Sequence, residues 1–158
     1  MNRIYLAGGC FWGMQRFLDS APGVIKTTVG YANGKIDNPT YQQVKTQTTG
    51  FAETVAVDYD ETVLLTNKLI KRFLEVIDPF SVNKQGEDQG DQYRTGIYFE
   101  KEKDEKIALD EIRLLENASR KKCAVEVMPI KNFWSAEEYH QKYLEKNPTG
   151  YCHILAKF

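Results

Sequence analysis

The stretch RIYLAGGCFWGMQRFL, residues 3–18, changes its hydrophobic period once. From Arg3 to Ala7 polar and apolar residues alternate, with Ile4 and Leu6 on one side, as in a short strand. Gly8 and Gly9 end that alternation. From Phe11 to Leu18 the apolar Met14, Phe17 and Leu18 recur at helical spacing, and Ala21-Pro22-Gly23 stops the run. The stretch is therefore a strand, a tight turn and a helix, with Cys10 at the helix mouth.

Further along, Val24 to Tyr31 has the β-branched content of a second strand, and 32–50 is rich in Asn, Gly, Thr and Gln. The latter reads as a long irregular stretch, a kind of segment that in small domains is functional or disordered. Ala52 to Asp60 alternates as a strand with Val55, Val57 and Tyr59 on one face. Leu69, Ile70, Phe73, Leu74 and Ile77 draw an amphipathic helix, with Thr66 as its cap and Asp78-Pro79 as its stop. Phe80 to Tyr93 is a second polar loop, leading into a strand over Arg94 to Phe99. Lys101 to Lys122 carries Ala108, Ile112 and Leu115 at helical spacing, so its charges form a solvated face. Ala124 to Met128 is another strand. Ser135 to Glu138 has the form of a capping box, with Trp134 and Tyr139 as a hydrophobic staple on a last helix running to Glu145. Strands and helices in mixed order with short connections give an α+β sandwich with helices on one or both faces of a mixed sheet.

The chain has 158 residues and 42% hydrophobic content, the size of one domain with an ordinary core, read here as a single catalytic unit over 1–158. Lys and Arg number 21 against 22 Asp and Glu, a net charge of −1, which argues against nucleic acid or an anionic lipid surface as partner. No apolar run is long enough to span a membrane, and MNRIYLAGGC is too short and too soon glycine-rich for a signal peptide. A cytoplasmic address and a monomer are expected. Three cysteines without a CxxC pair suit thiols in a reducing compartment rather than a disulfide framework.

Cys10 stands between glycines that let the backbone turn sharply and the unsatisfied N–H groups of a helix start. Such a position favours an anion and predicts a lowered thiol pKa. A buried cysteine acting as a small hydrophobe is the commoner fate of a lone thiol, but flanking glycines and two large aromatics argue for chemistry. The glycines match neither GxxxxGK[ST] nor GxGxxG, so a phosphate loop is set aside.

GGCFWG after a short strand resembles the signature of the A-type peptide methionine sulfoxide reductases. Pro39-Thr40-Tyr41, Thr49-Gly50-Phe51-Ala52-Glu53, Gln85-Gly86-Glu87-Asp88-Gln89-Gly90, Gln92-Tyr93-Arg94 and Gly150-Tyr151-Cys152-His153 resemble that family's motifs in the same order. The resemblance implies a ferredoxin-like two-layer α+β domain and a Cys10 nucleophile that attacks a methionine sulfoxide, leaving a sulfenic acid on Cys10. It implies an apolar methyl pocket from Phe11 and Trp12, oxygen binding and protonation by Glu53, Tyr41 and Tyr93, and a further carboxylate at Asp88. It also implies the S epimer at sulfur, Cys152 as the resolving thiol, thioredoxin as reductant and no cofactor. Many relatives have His at Phe51, and some have a further Cys at Lys45.

The residues fit that chemistry on their own terms. A sulfoxide oxygen leaves only if protonated, so the site needs an acid still protonated near neutral pH. Glu53 shares the parity of Val55, Val57 and Tyr59, and burial raises a carboxyl pKa. Tyr93 shares parity with Ile97 and Phe99, which turns its ring inward. Cys152 follows Asn147-Pro148-Thr149-Gly150, turn residues that predict a mobile tail able to bring a second thiol to Cys10. Cys123, in parity with Val125 and Val127, reads as a buried structural thiol. His140 reads as structural or supporting, and His153 as a plain tail residue.

Three other readings compete. Cys10 with His140 as base would make a cysteine hydrolase or acyltransferase. Cys123, Cys152, His140 and His153 would make a metal module, though the spacing matches no tight zinc pattern. A structural or interaction domain would need none of these groups.

Overall fold

The structure is a computed structural model describing residues 1–158. In chain order its elements are β1 (Asn2–Gly8), α1 (Phe11–Asp19), β2 (Val24–Ala32), α2 (Tyr41–Lys45), β3 (Ala52–Tyr59), α3 (Thr66–Val76), β4 (Lys84–Gln85), β5 (Asp88–Gln89), β6 (Thr95–Phe99), α4 (Glu102–Ser119), β7 (Glu126–Pro129), β8 (Phe133–Ser135) and α5 (Tyr143–Lys146). Single 3-10 turns lie at Asp91–Tyr93 and Glu138–His140.

The main sheet has the order β7-β6-β1-β3-β2-β8. Its middle, β6-β1-β3-β2, is antiparallel throughout, and α1 and α3 link β1 to β2 and β3 to β6. That is the ferredoxin-like βαββαβ unit. β8 extends it antiparallel to β2, and β7 extends it parallel to β6 after the crossover through α4.

One sheet face meets the helices. Ile4, Leu6, Val29, Val55, Val57 and Ile97 from the strands pack with Phe17, Leu18, Leu69, Phe73 and Ile112 from α1, α3 and α4. The other face is lined by small residues, Ala7, Ala32, Ala52 and Ala56, with Tyr5 and Tyr98. There the sheet curls, and the ring of Phe133 on the edge strand packs tilted against Tyr5 of the central strand, centroids 5.3 Å apart. Both faces of β1 and β3 are thus buried, which places any polar side chain on β3 out of water.

Several local expectations change. Thr66 is the first residue of α3 rather than its cap, because its hydroxyl is taken by Tyr59 at 2.6 Å. Within 32–50, α2 forms on a Thr40/Gln43 capping box. The box expected at Ser135 does not form: Ser135 pairs with Gly30 and Trp134 with Tyr31, so edge pairing wins over helix initiation. Glu137 is drawn to Tyr31 and Tyr41, and Lys142 turns left-handed at φ 55°, so the last helix is one short turn. Tyr93 lies in a 3-10 turn before β6, where strand parity does not apply.

Candidate active site

β1 ends at Gly8, Gly9 reverses the chain with φ +85°, and Cys10 becomes the N-terminal cap of α1. That left-handed φ is open to glycine at little cost. Glu53, the second residue of β3, faces the helix side, and its Oε1 accepts the Phe11 amide hydrogen at 3.3 Å. The carboxyl is 1% exposed, and Oε2 has no hydrogen-bond partner. Burial pushes its pKa up to about 8, the Phe11 amide opposes, and the Asp88 charge adds to the rise. Glu53 thus holds its proton at neutral pH.

Cys10 departs from the sequence expectation. Burial, then the neighbouring Glu53, raise its pKa well above 9.0, against the opposing Trp12 amide. A helix N-terminus contributes only about 0.3–1 kcal/mol, less than the cost of burying an anion. The resting site is a thiol next to a carboxylic acid.

Tyr41 opens α2 and Tyr93 closes the 3-10 turn, so two separate loops bring two phenols to Glu53. Burial and then Glu53 push Tyr41 up to about 12 and raise Tyr93 further, and the two hydroxyls interact with each other. Both remain donors across the physiological range. Tyr41 is anchored through its amide, which donates to Glu137 Oε2 at 3.0 Å, while Glu137 Oε1 accepts from the Tyr31 hydroxyl at 2.8 Å. Asp88, on β5, is half-buried with Oδ2 unpartnered, and its charge acts on Cys10, Glu53, Tyr93 and Tyr151.

Phe11 is buried against Tyr31 and His140, with ring centroids at 5.7 Å and 5.2 Å. Trp12 is half-exposed, stacks on Tyr143 at 3.7 Å and donates its indole hydrogen to His140 Nδ1 at 3.0 Å. With Nδ1 so occupied and no hydrogen bond to Cys10, His140 orients the tryptophan and is not placed to act as a base on the thiol. The sequence reading missed Glu137 and Tyr143; the charged run at 137–138 looked like a helix cap. No three His, Cys, Asp or Glu side chains converge as a metal-binding group.

All three cysteines are free. Cys152 stands over the first turn of α1, near enough to Cys10 to raise its pKa. Cys123 is partly exposed, packs on the edge of the main core and donates its amide hydrogen to Glu116 at 2.8 Å.

A ferredoxin-like fold with a cysteine at the start of its first helix, a buried glutamic acid and two phenols has the make-up of a thiol enzyme on an α+β scaffold. The sequence profile of peptide methionine sulfoxide reductase matches residues 2–158, and the chain belongs to that family. It is 51% identical over 154 residues to the peptide methionine sulfoxide reductase MsrA of Clostridium perfringens, covering 98% of each chain. Reduced Mxr1 from Saccharomyces cerevisiae superimposes with a TM-score of 0.92 at 37% identity, over 99% of this chain and 92% of that one. The same yeast protein in complex with Trx2 matches with a TM-score of 0.64 at 27% identity, over 89% and 83%.

Proposed function

We propose that the chain reduces methionine S-sulfoxide, free or within proteins, to methionine as one catalytic unit built on residues 1–158. The observation that carries the proposal is the Glu53 carboxyl, fully buried, with a pKa near 8 and hydrogen-bonded to the residue after Cys10. Attack by Cys10 sulfur on the sulfoxide sulfur needs a proton on the departing oxygen as the bond forms; Glu53, an acid that still holds one at pH 7, gives it, and the Cys10 thiol proton returns to the Glu53 carboxylate. Tyr41 and Tyr93 donate hydrogen bonds to that oxygen, and Phe11 and Trp12 supply apolar contact for the methyl group. Asp88 adds a carboxylate whose charge acts on Cys10 and Glu53.

The electrons balance in two steps. Methionine sulfur gains two electrons, and Cys10 sulfur takes the oxygen as sulfenic acid. The Cys152 thiol then attacks the Cys10 sulfur, the S–O bond breaks, water leaves and a Cys10–Cys152 disulfide forms. A dithiol protein of the thioredoxin type reduces it by exchange, a role supported by the yeast relative's complex with Trx2. Metal and organic cofactors have no step in this cycle.

The test mixes the reduced protein with a racemic methionine sulfoxide derivative and dithiothreitol, then measures methionine and the residual enantiomer. Consumption of the S form alone is expected. No methionine, or consumption of the R form, overturns the proposal.

A further inference from the structure

The C-terminal tail carries a group that the cycle above does not use. His153 Nε2 lies 2.8 Å from the carbonyl oxygen of Gly8, the last residue of β1. A carbonyl only accepts, so the ring donates from Nε2, and burial lowers its pKa, leaving it neutral with a bare Nδ1. The ring fills the space left by two missing side chains. A Cβ on Gly9 would stand 3.0 Å from His153 Nε2, and one on Gly13 would stand 3.2 Å from Nδ1.

The same absent Gly13 side chain makes room for the next residue back. A Cβ there would stand 3.1 Å from Cys152 Sγ, so the thiol and the imidazole share one cradle on the first turn of α1. Cys152 donates its thiol hydrogen to the Ile154 carbonyl at 2.7 Å, and Ile154 is buried in the main core. Farther on, Phe158 donates its amide hydrogen to Ser20 Oγ at 2.9 Å, and Arg72 donates to the Lys157 carbonyl at 2.6 Å. The tail expected to be mobile is seated along α1.

We infer that His153 is a positioning residue for the disulfide-forming step, a latch whose hydrogen bond to Gly8 seats Cys152 over Gly13 beside Cys10. The inference rests on the two-cysteine cycle proposed above. Holding the second thiol at the helix start replaces a search by a flexible tail with a pre-set approach, which raises its effective concentration at the sulfenic acid. Cys10 and Glu53 make no hydrogen bond to His153, so the latch leaves oxygen transfer alone.

The experiment uses the full-length protein in two arms. Rapid mixing with methionine sulfoxide reads methionine release and, separately, loss of the Cys152 thiol. A second arm closes the disulfide with diamide, an azo oxidant that takes both thiol hydrogens as its N=N bond is reduced, and needs no sulfoxide. His153→Ala is expected to slow disulfide formation about tenfold or more in both arms, the loss of one hydrogen bond and its packing, with methionine release unchanged. His153→Gln, which keeps an N–H donor, restores the rate to within about threefold of the parent on the same scale. Gly13→Ala, whose methyl would stand 3.1 Å from Cys152 Sγ and 3.2 Å from His153 Nδ1 and so shift both by a few tenths of an ångström, slows the step with His153 present. A wild-type disulfide rate in His153→Ala overturns the latch, as does a His153→Gln variant as slow as His153→Ala, which would mark the imidazole as a proton acceptor. Absence of methionine in every variant condemns the sulfoxide reading, while the diamide arm still decides the latch.

Discussion

Glu53 Oε1 accepts the amide hydrogen of Phe11 at 3.3 Å, so the acid on the third strand is tied to the residue that follows the thiol on the first helix. The bond runs between backbone and buried side chain, on two elements fixed by the core. The distance between acid and sulfur is therefore set by the fold and not by loop flexibility.

Burial of Glu53 makes stability depend on pH. The folded protein holds a proton up to about pH 8, whereas an exposed glutamate releases it near the ordinary 4.5. Between these values the native state binds more protons than the unfolded state, so stability present below pH 4.5 is lost as pH rises toward 8. The slope from this group is at most roughly 1.4 kcal/mol per pH unit. Urea unfolding of wild type and Glu53→Gln across pH 5–9 checks this: the wild type should weaken relative to the variant as pH rises, and parallel curves would refute it.

In the proposed cycle Tyr41 and Tyr93 donate to one oxygen, and their hydroxyls interact with each other, so their losses should not add. Tyr41→Phe and Tyr93→Phe are each expected to slow methionine release roughly tenfold, about 1.4 kcal/mol, as for one hydrogen bond to a developing charge. The double variant should lose less than the product of the two. Single-turnover rates of the four proteins form the cycle; strict multiplication would separate the phenols.

Cys152→Ser should release one methionine per chain and stop, with Cys10 trapped by a sulfenic-acid reagent. Thioredoxin should no longer sustain turnover. Sustained thioredoxin-driven methionine release in the variant, read by steady-state assay, would remove Cys152 from the cycle.

Phe73 is fully buried where α3 meets the sheet. Phe73→Ala should destabilise the protein by about 3–5 kcal/mol through lost burial and the cavity left behind. The urea midpoint should fall with the slope unchanged.

The strand, turn and helix around Cys10 were legible because a change from period 2 to helical period across Gly8-Gly9 has one interpretation. Glu53 was legible for the same reason: parity with Val55 and Val57 fixes its face on a strand. Tyr41 and Tyr93 came from motif resemblance, and the parity offered for Tyr93 failed because the chain turns before β6 begins. The Thr40/Gln43 box that forms α2 is spelled out in the sequence, whereas the box spelled out at Ser135 yields to pairing with β2. Local signals at 135–145 compete with long-range contacts to Gly30, Tyr31 and Tyr41, which spacing does not encode. The Cys10 shift runs opposite to what its helix-start position predicts, for the same reason. A helix start is visible in one dimension, but the burial and the carboxyl partner that outweigh it are visible only in three.

The most direct measurement follows methionine release in a single turnover by reduced protein from pH 6 to 9, with Glu53 intact and as Glu53→Gln. The intact protein should release one equivalent, at a rate that falls as pH rises through about 8, where Glu53 gives up its proton. Glu53→Gln should be slower by about 10²–10⁴-fold at neutral pH, the usual share of a general acid, and lack that limb. A glutamine variant that matches the parent in rate and pH profile would contradict the account.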